Sequence, residues 1–195
     1  MSKTLMALFA AAGLCFAGAT SAATNGSHDK AARDQAIKAA DAAYKADKDA
    51  CKSLSGNAKD VCEQEAKGKE KIAKAEAKAS YEGTPKAREN ARLAHAEATY
   101  DVAKEKCDDM SGNQKDVCVK EAKAAYTKAK ADAKVDRVAA DTSRKAVDKT
   151  AEVKKDAAED KREADYKVAV EKCDAMSGNA KDACVRDAKA KYGRS

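Results

Sequence analysis

Apolar positions along the chain recur with helical spacing. Over 85–110, Leu93, Tyr100 and Cys107 fall seven residues apart, with Ala96, Ala103 and Met110 interleaved between them. That is the a/d pattern of a narrow helical seam. The stretch 28–54 repeats it with Ile37, Ala40, Tyr44, Cys51 and Leu54, and Asp47 interrupts it. A third version survives only at its end, in Tyr166, Ala169, Cys173 and Met176, because Glu159 and Arg162 occupy the upstream positions.

Glycine and proline place the breaks between these seams. Thr84 precedes the lone proline, Pro85, and the pair reads as a helix cap followed by a first-turn proline. Ser55-Gly56-Asn57, Ser111-Gly112-Asn113 and Ser177-Gly178-Asn179 mark three further breaks. In each, the glycine is expected to end one helix in the left-handed conformation and the asparagine to cap the next. The predicted helices are 28–54, 58–82, 85–110, 114–140, 142–176 and 180–192. The boundary near Asp141-Thr142-Ser143 is the least marked, since 114–176 contains no Gly or Pro. Unbroken, that stretch would be a rod about 95 Å long at 1.5 Å per residue. Gly68 is expected to loosen the second helix.

The three breaks belong to one repeated motif. Tyr44–Cys62 reads YKADKDACKSLSGNAKDVC, Tyr100–Cys118 reads YDVAKEKCDDMSGNQKDVC, and Tyr166–Cys184 reads YKVAVEKCDAMSGNAKDAC. One cysteine stands about a turn before the bend and its partner slightly more than a turn after it. Antiparallel arms bring those positions face to face, so the spacing predicts the disulfides Cys51–Cys62, Cys107–Cys118 and Cys173–Cys184. The fold class follows: all-α, three disulfide-stapled αα-hairpins in an elongated or loosely bundled arrangement. The hairpin units are 24–84, 85–141 and 142–195.

The N-terminal residues change the reading of compartment. Lys3, the apolar run Leu5–Ala17 and the small residues Ala19–Ala23 form a signal peptide over 1–23. Export makes cysteine pairs into disulfides and makes the expected location periplasmic or secreted. Cys15 lies within the signal segment, and Leu14 before it departs from a lipidation motif. No transmembrane segment remains after cleavage.

Composition shows why staples are needed. Phe9 and Phe16 are the only phenylalanines, tryptophan is absent, and aromatic residues make up 4% of the chain. Large apolar side chains are too few for a sizeable globular core. Alanine, by contrast, is about a quarter of the chain, and with Lys, Glu and Arg it favours helix strongly. Charge is high but balanced, with 39 Lys and Arg against 33 Asp and Glu and a formal net charge of +6. The signs are interleaved, as on solvated helix faces. That mixture argues against a specific nucleic-acid partner, though a weak, salt-sensitive association with polyanions fits it.

No catalytic constellation is legible. The chain lacks a G-x-S-x-G elbow, a phosphate loop and an H-E-x-x-H helix. Ten residues between paired cysteines exceed the two to four of zinc sites, and His28 and His95 stand alone. Catalytic residues, metal ligands and cofactor sites are therefore all read as none, and the protein as a non-enzyme.

The repeated C-[KD]-x-[LM]-S-G-N-x-K-D-x-C hairpins on an Ala/Lys-rich exported chain resemble an uncharacterised group of small exported proteins of Gram-negative bacteria. The linking helices are similar in composition to the helical part of the cell-envelope protein TolA. The resemblance implies an envelope setting and carries over no catalytic residue. The expected function is a structural, scaffolding or stress-related envelope role, with an envelope protein or cell-wall component as partner. A binding module for polyanions or metal ions, acting through charged helix faces, is the second expectation. Oligomeric state is not legible.

Overall fold

The computed structural model describes residues 28–141 and 144–194, so residues 1–23, expected to be a signal peptide, and Cys15 within them lie outside the described residues. Six helices follow one another: α1 (Lys30–Cys51), α2 (Gly56–Glu82), α3 (Pro85–Cys107), α4 (Gly112–Ala139), α5 (Arg144–Cys173) and α6 (Gly178–Tyr192). Among the described residues there is no strand. The Asp29 carboxylate caps α1 by accepting from the N–H groups of Ala31 and Ala32. Thr84 caps α3 by accepting from Ala87 N at 3.0 Å, with Pro85 in the first turn, as the sequence predicts.

Among the described residues, each helix packs only on its neighbours in chain order. The molecule is thus an open row of antiparallel helices rather than a closed bundle. A helix inside such a row must bury two opposite stripes, and alanine makes this possible. On α3, Ala87, Ala94 and Ala98 face α2, where Ala98 meets Gly68 and the other two line the α2–α3 groove. Ala96, Tyr100, Ala103 and Cys107 face α4 from the opposite side. On α4, Ala133 and Tyr126 face α3, while Ala124 faces α5 with buried Ala131 and Val138 in register with it. Each alanine methyl contributes little, about 0.8 kcal/mol per buried carbon. Many such contacts and the staples together replace a bulky core.

The three disulfides close as the spacing predicts, Cys51–Cys62, Cys107–Cys118 and Cys173–Cys184, each with Cα atoms 5.7 Å apart. Cys51, Cys107 and Cys173 are the most completely buried large side chains described. Disulfides in this number mark an oxidising, extracytoplasmic compartment. Among the described residues no helix is long and apolar enough to cross a membrane.

Three sequence expectations are corrected. The odd-numbered helices end at the cysteine, not three residues later. There the last turn tightens, with Leu54, Met110 and Met176 N–H groups bonding back three residues to Cys51, Cys107 and Cys173. This rotation takes Leu54, Met110 and Met176 out of the seam and leaves them 43%, 44% and 48% exposed. The even-numbered helices begin at the glycine, left-handed at φ 57°, 54° and 55° in Gly56, Gly112 and Gly178. The asparagines after them do not cap. Gly68 does not loosen α2: a Cβ there would lie 3.0 Å from Ala98 Cβ, so its hydrogen is what lets α2 and α3 close up. The weakly marked boundary near Asp141 does separate two helices, as mapped: α4 and α5 fold back on one another.

Candidate functional site

The six cysteines and their bends all lie at one end of the row, since every odd-to-even connection is a stapled bend. The α2–α3 and α4–α5 connections lie at the other end. The bends carry the most repeated chemistry in the molecule.

Asparagine joins one hairpin to the next. Asn57 Nδ2 donates to the backbone carbonyl of Glu105 at 3.1 Å, and Asn113 Nδ2 donates to that of Glu171 at 3.1 Å. Each acceptor is the residue two before the first cysteine of the following hairpin. The next residue after each acceptor adds an ion pair across the same joint, Lys106 with Glu65 at 2.9 Å and Lys172 with Glu121. The two hairpin-to-hairpin joints are therefore the same joint made twice. The sequence reading missed this role. The signal was present, because Asn recurs at one motif position in all three copies, but a local cap was the nearer explanation.

The motif lysine closes the bend. Lys115 pairs with Asp108 at 2.8 Å and Lys181 with Asp174 at 3.0 Å. The Asp108 hydrogen bond pulls the Lys115 ammonium above its ordinary range. In the first bend Lys52 stands where those aspartates stand and pairs instead with Asp49 at 2.7 Å.

The tyrosines fill the hairpin seams. Tyr100 stacks on Tyr126 with centroids 5.3 Å apart, and Tyr166 meets Tyr192 edge-on at 6.3 Å. At the far end of the second hairpin, Glu89 is buried at 7% exposure. It contacts Lys86 at 2.6 Å and Arg137 Nε at 2.9 Å. Burial pushes its carboxyl up, but the two cations outweigh burial and hold it below the usual carboxylate range.

What the arrangement offers chemically is narrow. All six described cysteines are disulfide-bonded and none is a free thiol. His95 Nε2 lies 2.6 Å from Glu76 Oε1 on an exposed surface, and His28 meets Tyr81 edge-on. Among the described residues no group of three or more His, Cys, Asp or Glu could hold a metal ion. The hollows are open grooves between neighbouring helices. The α3–α4 groove, about 500 Å³, is lined mainly by alanine with Tyr100 and Tyr126. Leu54, Met110 and Met176 form a repeated apolar tip on each bend.

No protein-family model, no curated protein and no solved structure matches the chain.

Proposed function

We propose that the protein is a non-enzymatic scaffold of the cell envelope, exported by its N-terminal signal segment to the periplasm or beyond. The observation that carries this reading is the use made of the repeated motif. Its cysteine and glycine, and in the last two copies its lysine, stabilise bends, and its asparagine, in the first two copies, joins hairpins. The product is a stiffened row of charged helix faces. The resemblance to exported Ala/Lys-rich envelope proteins agrees with it.

Binding of polyanions is the second reading. It is disfavoured because many cations already have acidic partners, among them Lys69 with Asp47, Lys74 with Asp41 and Lys128 with Asp165. Cross-linking in intact cells, followed by purification at low and high salt, separates the two. Capture of one envelope component that survives high salt supports the scaffold. Retention on an anionic polymer that disappears in moderate salt supports polyanion binding and sinks the scaffold.

A further inference from the structure

The joint that links hairpins inside the chain has a third donor copy with no acceptor. Asn179 is the counterpart of Asn57 and Asn113, and it is exposed and makes no side-chain hydrogen bond among the described residues. At the opposite edge of the row, Asp49 is the counterpart of Glu105 and Glu171. All three carbonyls accept one N–H from the tightened turn, from Lys52, Asp108 and Asp174 respectively. Those of Glu105 and Glu171 use a second lone pair for the asparagine of the preceding hairpin. Among the described residues no such asparagine reaches Asp49.

The packing surfaces correspond as well. Gly68 meets Ala98 in the first joint, and Ala124 and Ala164, both buried, occupy the same positions in the second. Their counterparts are Ala190 on α6 and Ala42 on α1, and both are exposed. Small residues thus stand at both free edges where the internal joints need close approach.

Resting on the scaffold reading, we propose that the chain assembles head to tail, α6 of one copy packing on α1 of the next through the joint already made twice within it. The Asn179 amide donates to the Asp49 carbonyl of the second copy, and Ala190 seats against Ala42. The two surfaces differ, so the contact is heterologous and propagates as an open filament instead of closing as a dimer. The joint is weaker than its internal counterparts for two reasons. Ala50 stands where Lys106 and Lys172 form ion pairs, and α6 has 15 residues where α2 and α4 have 27 and 28. Exposed ion pairs of that kind contribute only about 0–1 kcal/mol. Asn179 and Ala190 both lie within α6.

The test uses the full exported chain with its disulfides intact. Sedimentation from about 10 μM to about 1 mM should show a mass rising with concentration, the range in which weak joints populate. Asn179→Ala should weaken association about fivefold, the value of one hydrogen bond. Ala42→Trp, on an exposed face and with unchanged circular dichroism, should abolish it. Polarity is read by mixing Ala42→Cys and Ala190→Cys chains and mapping the cross-links by mass. The mixed 42–190 link should dominate over 42–42 and 190–190. A single-chain mass throughout the range, or equal yields of the three links, overturns the proposal. Such a failure leaves the scaffold reading standing, because that reading depends on capture of an envelope component and not on self-assembly.

Discussion

Glu89 is the one buried charged residue described, and its surroundings decide what it does to stability. Lys86 and Arg137 hold its carboxyl below the ordinary range despite burial. A carboxyl depressed in the folded state stabilises above its unfolded value, about 4.3, and loses that contribution as pH falls through the folded value. Glu89→Gln should therefore cost about 1–3 kcal/mol at neutral pH. The gap in melting temperature between it and the native chain should close on acidification below pH 4. A gap that persists in acid would show that Glu89 acts through shape, not charge. Gly68 is the second telling residue. Its nearest foreign atom would lie 3.0 Å from an added Cβ, and that atom belongs to Ala98 on the facing helix. Gly68→Leu should force α2 from α3 and cost about 1–3 kcal/mol by overpacking, measured by denaturant unfolding. Neither role was legible in the sequence. A glycine within a helix looks like a weakness until its partner, 30 residues further on, is known.

The hairpins themselves were largely legible. Cysteines at fixed spacing around a glycine admit one easy geometry, and α1–α2, α3–α4 and α5–α6 adopt it. The seam facing the partner arm was legible in part: Tyr100 and Cys107 face α4 as expected, but Leu93, placed in the same seam, lines the α2–α3 groove instead. The opposite stripe was not. Ala87, Ala94 and Ala98 carry the α2 contact, and in a chain this rich in alanine nothing distinguishes them from alanines facing water. The ends of the odd-numbered helices were misplaced for a related reason. Met110 fits the seven-residue pattern, but the tightened turn after Cys107 carries it outward. If the staples hold weakly cored arms together, each should be worth about 3 kcal/mol. Reduction should lower helicity and melting temperature in circular dichroism, and Cys107→Ala with Cys118→Ala should reproduce part of the loss. An unchanged thermal transition after reduction would show that alanine packing suffices alone.

Contacts confined to successive helices have a consequence for the whole row. In such a row stability is close to a sum of hairpin and joint contributions, without a shared core to fail all at once. Whether the hairpins packed together at all was beyond the sequence, because Asn57 and Asn113 find their acceptors 48 and 58 residues away. The joints they make are local in space and few in kind, so losing one should not dissolve the others. Removal of 142–195 deletes α5 and α6 and with them the α4–α5 joint. The remaining chain keeps two staples, the Asn57 bond, the Gly68–Ala98 contact and the Glu89 cluster. It should retain its helicity per residue and an unfolding transition lowered by one joint. Exchange protection should fall along the α5-facing side of α4 and stay unchanged in α1 and α2. A shortened chain that loses helix throughout would mean that the row is one cooperative unit, and that stability passes through α4 further than its contacts reach. The same additivity governs growth at the free edges: a joint that can be removed without unfolding its neighbours can be added without refolding them.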